Sequence, residues 1–572
     1  MSADVWQRAA DCLADAGCET VFGLPTDEPG LLDAADAHPK LRAVGVRAHR
    51  AGACMAVGHA QITGKPVVLA LGAGPPFGDA VTALVEGDSV CAPLIVVTTR
   101  VPAEGLGRGG FQDVDQAALA AAFTTTYLRV PNAGALTWAL RRAVHMSVNG
   151  RPGVSVVEIA HEATEGVAGA QPYSGPVRRL RSVPADDELR RAAGVLAAAE
   201  RPLLLLGGGA RAAGAGPAAL ALAERWGAPV MTTAAGRGAV PEDHPLVCGS
   251  VGLYATPPLE TVQCGADTVL AVGSRLEETA RMGWDTLDEV ALVQIDCDPA
   301  AFGGGMAEPA AALLGDAAQT ASRLTALLPE RSPARTDWLR GAARARRTAW
   351  LSWTAEGDCA ASPARTALHA LDEILPDAVT VHDNGLNDIW SYHWPVHRVG
   401  PRGRTVVPGE QTMLGFGTAA APGVALAAQG RPTVVVCGDG GVEMGLDALP
   451  TAAELGLGLV LLVFDNQGYG WPRLLRTEVG APAGLTRFAR PMPVDDIVRA
   501  LGGEAVSPDL DAIPAALRRA RETAASGRIA LVRIAVADGD VPPGVRRLFL
   551  TEGPQGAAHA EEDRSVEGGD PI

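Results

Sequence analysis

The sequence predicts an α/β fold of doubly wound domains with parallel sheets, and two observations lead to this fold class. Short apolar runs alternate with helical stretches along the chain, which is typical of strands that each feed a helix in a parallel sheet. The chain has 572 residues, which at about 150 residues per domain gives three or four domains. Because two polar seams separate three segments of similar character, we expect three doubly wound domains.

Eight short apolar runs are strand candidates, and several end in glycine-rich turns, as expected where a strand leads into a helix. They lie at 67–71, 94–98, 154–159, 203–206, 268–272, 434–437, 459–464 and 530–534. Helix candidates lie at 3–16, 116–122, 186–199, 217–226 and 512–525. Pro217 suits the first turn of its helix, because no N–H donor is needed there.

The seams set the expected domain boundaries. The first, near 171–185, is polar and contains prolines, and the second, near 329–347, is basic, which favours a solvated helix or linker. They delimit an N-terminal domain at 1–172, a central domain at 185–330 and a C-terminal domain at 352–548. Residues 549–572 are rich in Gly, Glu and Asp, so we expect a disordered tail. The first and third segments share their strand-helix character, which suggests similar folds.

The composition excludes several functional classes. With 65 acidic against 48 basic residues the formal charge is -17, so we expect neither nucleic acid nor an anionic membrane as a partner. No run of about 18 apolar residues occurs, and the N-terminus does not resemble a signal peptide, so we expect no membrane span and no secretion. The nine cysteines are scattered, which favours reduced thiols in the cytoplasm over a disulfide framework or a zinc site.

The strongest chemical signal lies in the third segment, where two polar motifs each follow an apolar run. The first motif is Gly438-Asp439-Gly440-Gly441, and the second is Asp465-Asn466-Gln467-Gly468. The residues between them leave room for one helix and a return strand. We therefore expect both motifs at the carboxyl ends of neighbouring parallel strands, where open α/β sheets bind ligands.

These residue types suit a phosphate held through Mg²⁺. Asp439 and Asn466 offer hard oxygen ligands, a backbone carbonyl near Gly468 can supply a third, and phosphate oxygens and water can complete an octahedron. The glycines let backbone N–H groups approach a phosphate closely. A lone Gly-Asp-Gly is often an ordinary turn after a strand, so the second motif at this spacing carries the prediction.

The two motifs together resemble the signature of thiamine-diphosphate (ThDP) enzymes, in which Gly-Asp-Gly is followed at a similar distance by Asn-Asn. Here Asp465 stands at the first asparagine and Asn466 at the second. Further stretches resemble, in order and spacing, the acetolactate synthase and benzoylformate decarboxylase group of these enzymes. They are the stretches at 21–34, 58–76, 201–210, 222–246, 266–276, 293–300 and 412–427. The resemblance implies pyrimidine-binding, central Rossmann-like and diphosphate-binding domains, in a homodimer or homotetramer with active sites between subunits.

The resemblance also implies which residues contact ThDP. Leu414 would be the bulky apolar side chain that holds the cofactor bent, a role compatible with the alternative of a core leucine. The carbonyl of Thr412 would face the 4′-amino group. Asn387 stands where the family contacts the diphosphate, and Tyr469 would be a phosphate neighbour or a packing aromatic. Pro25 lies in the first family stretch and is expected to contact the cofactor.

The glutamate that normally hydrogen-bonds the pyrimidine N1′ is missing. The family reads Arg-His-Glu-x-Gly-Ala, whereas residues 47–52 read Arg-Ala-His-Arg-Ala-Gly. Alignment without a gap puts His49 at the glutamate position, and a one-residue gap would put Arg50 there. With an ordinary pKa of about 6.5, a histidine can hold or release a proton near neutrality, so we expect His49 to be the N1′ partner. A packing or substrate-facing role and cofactor binding without turnover stay open, although glyoxylate carboligase of the same family lacks the glutamate and is active.

Three further residues bear on the reaction. Asp27 lies where some ThDP decarboxylases handle substrate protons, and its alternative is an N-cap for the next helix. Phe111 and Gln112 resemble a synthase stretch that faces the substrate channel. Asp27 favours a decarboxylase, whereas Phe111 and Gln112 and the synthase-like central domain favour a 2-oxo acid-cleaving carboligase of the acetolactate synthase kind, which is the function we expect. A simple 2-oxo acid decarboxylase and a ThDP-fold protein without turnover are the alternatives.

Other cofactors are less favoured. Synthases of this group often bind FAD in the central domain, so FAD is left open, but the glycine-rich turns at 207–210 and 273–276 also suit plain strand-to-helix geometry. An NAD-dependent dehydrogenase would need a Gly-x-Gly-x-x-Gly motif followed by an acidic residue, and none is evident.

Overall fold

The computed structural model describes residues 3–166, 174–303, 308–330, 332–354 and 362–550. Most of the tail predicted at 549–572 lies outside the described residues, and so does part of the first seam.

The N-terminal domain is built on a sheet of six strands: β1 (Thr20–Gly23), β2 (Arg42–Gly45), β3 (Val67–Leu71), β4 (Leu94–Arg100), β5 (Thr124–Val130) and β6 (Val154–Ala160). They pair in parallel in the order β2-β1-β3-β4-β6-β5. Its helices are α1 (Ala3–Ala16), α2 (Leu31–Asp36), α3 (His49–Thr63), α4 (Pro75–Ser89), α5 (Gln116–Ala120), α6 (Leu136–Val148) and α7 (His161–Thr164).

The central domain has six strands: β7 (Pro202–Leu206), β8 (Val230–Thr232), β9 (Val247–Ser250), β10 (Thr268–Val272), β11 (Ala291–Asp296) and β12 (Ala311–Leu314). They are also parallel, in the order β12-β11-β10-β7-β8-β9. Its helices are α8 (Asp186–Ala198), α9 (Gly208–Ala212), α10 (Gly216–Trp226), α11 (Pro257–Gly265), α12 (Glu278–Arg281), α13 (Ala317–Leu327) and α14 (Pro333–Thr354).

The C-terminal domain repeats the parallel design with β13 (Val379–His382), β14 (Arg404–Val406), β15 (Thr433–Gly438), β16 (Leu459–Asp465), β17 (Glu504–Val506) and β18 (Ile529–Ala535). The order is β14-β13-β15-β16-β18-β17. Its helices are α15 (Pro363–Ile374), α16 (Leu386–Tyr392), α17 (Phe416–Ala427), α18 (Asp439–Met444), α19 (Leu449–Glu454), α20 (Gly470–Glu478), α21 (Val494–Ala500), α22 (Ile513–Ala525) and α23 (Pro543–Phe549).

The sheet orders confirm the predicted fold class of three α/β domains. Counted within each domain, the first and third sheets share the order 2-1-3-4-6-5, and the central sheet has the order 3-2-1-4-5-6 that is common among dinucleotide-binding folds. The eight predicted strands are all present, lengthened by at most one or two residues. The five predicted helices are present as well, and Pro217 lies in the first turn of α10.

The N- and C-terminal domains share one apolar core, in which α3 packs against α17. The helices approach so closely that a Cβ on Gly423 would lie 2.0 Å from the carbonyl oxygen of Met55. A Cβ on Gly58, one turn further along α3, would lie 2.8 Å from the Val424 side chain. Small residues at this crossing therefore fix how the two domains meet.

The basic seam at 329–347 is mostly helical and belongs to α14. It is not simply solvated, because Arg335 is buried and its Nε donates to the Ala199 carbonyl at 2.8 Å. Arg346 Nε donates to the Val247 carbonyl at 2.8 Å and its guanidinium lies 4.8 Å from the Trp394 ring. The contacts with Ala199 and Val247 attach α14 to the central domain, and the contact with Trp394 reaches the C-terminal domain.

Short 3₁₀ turns lie at Ala103–Gly105, Ala133–Ala135, Gly252–Tyr254, Leu287–Glu289, Pro299–Ala301, Leu446–Ala448, Gly484–Thr486 and Leu510–Ala512. Over the part of the chain that the structure describes, none of the helices combines the length and apolar character needed to cross a bilayer.

Candidate active site

The candidate site lies at the carboxyl edge of the third sheet, where the strand order reverses between β13 and β15. Such switch points are where open α/β sheets bind ligands. β15 and β16 are hydrogen-bonded neighbours, so the two sequence motifs end side by side as predicted. Gly438 ends β15, and Asp439, Gly440 and Gly441 form the first turn of α18.

Two of the predicted metal ligands, Asp439 and Gly468, are joined by a hydrogen bond, and Asn466 lies two residues before Gly468 in the same loop. The N–H of Gly468 donates to Asp439 Oδ2 at 2.8 Å, so the loop after β16 is tied to the carboxylate after β15. Asp465 is occupied elsewhere, because Arg533 Nη1 lies 2.9 Å from its Oδ2 and its Oδ1 accepts the N–H of Gln467. Gln467 has a φ of 58°, a left-handed conformation that turns the loop back towards Asp439.

This group fits Mg²⁺ better than a metal held by a side-chain cluster. Among the described residues, no group of three or more His, Cys, Asp or Glu side chains could hold a metal. The candidate set is one carboxylate, one amide and one backbone carbonyl, which leaves positions for phosphate and water. Burial, and then the neighbouring Asp465 carboxylate, raise the pKa of Asp439 to about 6. A divalent cation beside Asp439 would offset both effects.

Tyr469 covers the glycine turn. A Cβ on Gly440 would lie 2.9 Å from Cε1 of the Tyr469 ring, so only glycine fits under this aromatic side chain. The ring packs edge-on against Phe488 with centroids 4.9 Å apart, and the Tyr469 N–H donates to the Thr486 carbonyl. Tyr469 is thus held over the glycine turn, and its role as a phosphate neighbour stays a prediction that is compatible with this packing.

Asn387 is buried and its amide bonds to the ends of two strands. Its Nδ2 donates to the Asp383 carbonyl at 2.7 Å and to the Val436 carbonyl at 3.2 Å. These bonds join the loop after β13 to β15. Its donor capacity is spent on the backbone, so the predicted diphosphate contact stays a prediction.

Residues 409–415, which we call the 409–415 turn, lead into α17 and contain two of the predicted cofactor contacts. Thr412 has a φ of 49°, which for a β-branched residue is a strained, left-handed conformation costing about 1–3 kcal/mol. Leu414 is 50% exposed, whereas Met413 between them is buried in the shared core. An aliphatic side chain with this exposure does not fit a core leucine, and the predicted support of a bent cofactor stays a prediction.

Asp383 holds the far end of this turn. It is fully buried after β13 and accepts the N–H groups of Gly415 at 3.0 Å and Gly417 at 3.2 Å. Burial raises the pKa of Asp383 to about 6, and these N–H groups act in the opposite direction. Asn384 Nδ2 donates to the Met413 carbonyl at 3.2 Å.

The N-terminal site residues lie at the carboxyl edge of the first sheet. Pro25 and Asp27 follow β1 in an exposed loop. Gly30 is the N-cap of α2 and its N–H bonds to Asp33, so the alternative of Asp27 as the helix cap is wrong. Gln112 is exposed with a φ of 62°, and its carbonyl lies so near Gly74 that a Cβ there would be 2.3 Å away.

His49 is the first residue of α3, and its Nδ1 is buried without a hydrogen-bond partner among the described residues. Burial lowers the pKa of the ring and the Asp79 carboxylate raises it. Arg50 is engaged, because its Nη2 donates to the Met444 carbonyl at 2.6 Å and lies 3.0 Å from Asp447 Oδ2. The side chain available for a ligand is therefore that of His49.

A cavity of about 960 Å³ lies between the three domains and bears on the FAD question. Gly209 and Gly273 line it, as does Thr412 of the 409–415 turn. A Cβ on Gly207 would lie 2.2 Å from the Gly273 carbonyl oxygen, and one on Gly209 would lie 2.9 Å from the Gly273 Cα. Close packing of two loops thus accounts for these glycines without a nucleotide.

Reasoning from the sequence missed two acids that hold the 409–415 turn. Asp383 had a usable signal, because it follows an apolar strand at the same edge as Asp439. Glu86 had none, because a glutamate on a helix normally faces solvent, whereas this one is fully buried on α4 against the C-terminal domain.

Comparison with known proteins agrees with this geometry. The N-terminal TPP (thiamine pyrophosphate) binding domain model of thiamine pyrophosphate enzymes matches residues 4–119, the central domain model matches 189–324 and the C-terminal TPP binding domain model matches 383–534. A solved structure titled "X-ray structure of a putative thiamin diphosphate-dependent enzyme isolated from Mycobacterium smegmatis" superposes with a TM-score of 0.79 at 23% identity. The match covers 93% of this chain and 99% of that one, and it shows the shared fold.

Curated relatives indicate which thiamine pyrophosphate enzymes the chain is similar to. The "Probable 2-ketoarginine decarboxylase AruI" of Pseudomonas aeruginosa is 33% identical over 475 residues, 81% of this chain and 82% of the relative. The acetolactate synthase large subunit of Parasynechococcus marenigrum is 28% identical over 81% of this chain and 76% of its own length. The isozyme 2 large subunit of Escherichia coli acetolactate synthase is 28% identical over 84% and 87%. The chain therefore belongs to the thiamine pyrophosphate enzymes, in the group that contains the acetolactate synthases.

Proposed function

We propose that the chain is a ThDP- and Mg²⁺-dependent carboligase of the acetolactate synthase kind. It would cleave a small 2-oxo acid, release CO₂ and join the remaining carbon unit to a second carbonyl compound. The observation that carries the proposal is the hydrogen bond from Gly468 to Asp439, which joins the two halves of the predicted metal and diphosphate motif. Leu414, half-exposed in the 409–415 turn, supports the proposal because an exposed aliphatic side chain is available to hold a bent cofactor.

Each part of the site has a distinct task in this proposal. When bound, ThDP supplies the carbanion chemistry that breaks the bond to the carboxylate. Asp439, Asn466 and the carbonyl of Gly468 hold Mg²⁺ and through it the diphosphate. Gly440 lets the phosphate approach the backbone N–H groups beneath Tyr469. Leu414 supports the bent cofactor from below.

His49 takes the place of the usual glutamate. Because burial lowers its pKa, the ring is neutral at pH 7 and carries one N–H donor and one acceptor. A neutral imidazole N–H can donate to N1′, as a protonated carboxyl does. The buried Nδ1 that lacks a protein partner supports a ligand contact over a packing role.

Exchange of the C2 proton of bound ThDP tests this assignment. We expect His49→Ala to slow exchange at least about tenfold, which corresponds to a rise of about 1.4 kcal/mol in the activation barrier. His49→Glu should match or exceed the wild-type rate because it restores the family's residue. His161→Ala, an exposed histidine of the same domain, serves as the control. Equal rates in wild type and His49→Ala would remove His49 from the activating role.

A simple decarboxylase is the second candidate, and Asp27 favours it. The carboxyl group of Asp27 is exposed after β1 and does not cap a helix, so it can take up a proton from water and deliver it to the carbon that has lost CO₂. Incubation with pyruvate or benzoylformate, with measurement of CO₂ and of products, separates the candidates. A ligated hydroxyketone supports the carboligase. An aldehyde that disappears in Asp27→Asn supports the decarboxylase.

The third candidate is a ThDP-binding protein without turnover, which the absent glutamate motivates. It predicts Mg²⁺-dependent ThDP binding by calorimetry together with no CO₂ from any 2-oxo acid. His49→Glu discriminates further, because gain of activity in that variant would show that only the residue at position 49 limits turnover.

A homodimer or homotetramer with sites between subunits goes with the proposal, as does a cytoplasmic location for a chain whose eight described cysteines are free thiols. Co-expression of His49→Ala with Asp439→Ala tests the shared site. A mixed dimer contains one subunit of each variant. If each site takes His49 from one subunit and Asp439 from the other, one of the two sites has both native residues; if both residues come from the same subunit, neither site does. Activity above that of both parent variants supports the arrangement, and none would contradict it. FAD stays outside the proposal.

A further inference from the structure

One acid of the N-terminal domain is buried against the C-terminal domain. Glu86 lies on α4, has no exposed surface, and its carboxylate accepts the backbone N–H groups of Gly409 and of Met413, the latter at 3.0 Å. Both donors belong to the 409–415 turn. The approach is close, because a Cβ on Gly409 would lie 2.3 Å from the Ser89 hydroxyl of α4.

This carboxylate is neutralised by backbone dipoles rather than by a basic side chain. Burial raises the pKa of Glu86, and the N–H groups of Gly409 and Met413 are what lower it. A buried charge is costly unless its hydrogen bonds are made, so the geometry of these two donors is strongly enforced. An apolar side chain could stabilise the same interface, but it would not specify where two N–H groups four residues apart must point.

The held segment is the one that presents Thr412 and Leu414. Glu86 holds both Gly409 at its start and Met413 at its middle, and Asp383 holds Gly415 at its end. Thr412 lies between the two N–H groups that Glu86 accepts, and its left-handed backbone persists only where the surroundings over-determine it. Met413 is turned into the core, so its neighbours on either side are turned outwards.

We infer that Glu86 is a positioning residue for the cofactor. It fixes the 409–415 turn so that the carbonyl of Thr412 and the side chain of Leu414 are presented in the geometry that the bent cofactor requires. The inference rests on the proposed function, and it gives the N-terminal domain a carboxylate that acts on the site through the C-terminal domain of the same chain.

Glu86→Gln tests the inference, with Glu454→Gln as the matched control. Glu454 also joins the two domains, through Arg47 at 2.7 Å, but this pair is exposed and far less constrained. In Glu86→Gln an NH₂ group would replace one oxygen and face an N–H donor. We expect amide hydrogen exchange of the 409–415 turn in the cofactor-free protein to rise about tenfold, while β16 is unchanged.

The functional readouts are ThDP affinity, C2-proton exchange and kcat. We expect each to fall about tenfold in Glu86→Gln, with the substrate KM nearly unchanged, because the substrate touches other residues. Glu86→Asp, which keeps the charge but is one methylene shorter, should show the same pattern more weakly and guards against a Gln variant that folds poorly. Glu454→Gln should match wild type in every readout.

Three results would overturn the inference. Unchanged amide exchange in the 409–415 turn would show that Glu86 does not hold it. Faster exchange with unchanged ThDP affinity and C2-proton exchange would leave Glu86 a structural contact only. Failure of the wild type to bind ThDP would remove the proposed function and this inference together, whereas the first two results leave the proposed function intact.

Discussion

Leu414 and Met413 are adjacent residues with opposite environments, and truncating each separates a cofactor contact from a core contact. Met413 is 6% exposed and packs in the core shared by two domains, whereas Leu414 is 50% exposed. Full burial of a leucine is worth about 1.5–3 kcal/mol, so half burial gives about 1 kcal/mol for Leu414→Ala. Truncation of a buried methionine to alanine costs about 2–5 kcal/mol.

The measurement is thermal melting of the cofactor-free protein beside C2-proton exchange of bound ThDP. A domain of this size shifts its melting temperature by about 2–4 °C per kcal/mol, so Leu414→Ala should shift by about 2–4 °C and Met413→Ala by about 4–20 °C. Leu414→Ala should slow C2-proton exchange at least about tenfold, because an unsupported cofactor no longer stays bent. Met413→Ala should change exchange much less at a temperature where the variant is folded.

Two results would contradict a cofactor contact at Leu414. If Leu414→Ala destabilises the protein as much as Met413→Ala and leaves the exchange rate unchanged, Leu414 is a core leucine. Leu414→Met, similar in volume and equally apolar, should keep most of the rate, and a large loss in that variant would also contradict a support based on bulk.

Three further predictions concern the crossing of α3 and α17, the buried His393 and the glycine turn at Gly440. Gly423→Ala should lower the free energy of unfolding by about 3 kcal/mol, because its Cβ would lie 2.0 Å from the Met55 carbonyl oxygen. The control, Gly194→Ala on the exposed face of α8, should raise the free energy of unfolding by about 0.5–1 kcal/mol. Equal effects of the two substitutions in denaturant unfolding would contradict the tight crossing of α3 and α17. Burial lowers the pKa of His393 from 6.5 to about 4, so the folded protein resists protonation and stability is lost as pH falls from about 6.5 to 4, by about 3 kcal/mol. His393→Asn keeps a donor for the Ile389 carbonyl and should abolish this loss of stability at low pH. Unfolding curves that depend equally on pH in wild type and variant would refute the assignment to His393. Gly440→Ala should weaken the affinity for ThDP at least about tenfold, because its Cβ would meet the Tyr469 ring. Calorimetry measures the affinity, and Gly539→Ala serves as a control that should bind ThDP like the wild type. Unchanged affinity in Gly440→Ala would place the phosphate elsewhere.

The eight strands found from the sequence are five to seven residues long and mostly buried, whereas fully buried strands of three or four residues, such as β1 and β8, were too short to stand out as apolar runs. β7 and β10 are buried at every position and read as continuous apolar runs. The short edge strands β2 and β17 were missed because they have exposed positions and few apolar residues. Edge strands gain their register from the neighbour rather than from their own composition, so sequence patterns carry little information about them.

The candidate site also contains residues that the sequence predicts and residues that it does not. Asp439 and Asn466 could be predicted because each directly follows a buried strand, and the ends of parallel strands meet at one edge. The parts supplied by other elements could not be predicted, because sequence spacing does not say which helix face meets another domain. Glu86 is an example, since nothing in its neighbours on α4 distinguishes it from a solvated glutamate.

The 409–415 turn joins domain packing to cofactor geometry. Each domain contributes a contact to it: Glu86 from the N-terminal domain, Asp383 from the C-terminal domain, and Thr279 of the central domain, whose N–H donates to the side chain of Glu410 at 3.2 Å. A turn held from three sides moves only if the domains move. A change that loosens the crossing of α3 and α17, far from any cofactor contact, should therefore also disturb Thr412 and Leu414. Gly423→Ala should for this reason lose ThDP affinity in proportion to its amide exchange in the turn, and stable ThDP binding in that variant would show that the turn keeps its shape without the domain contact.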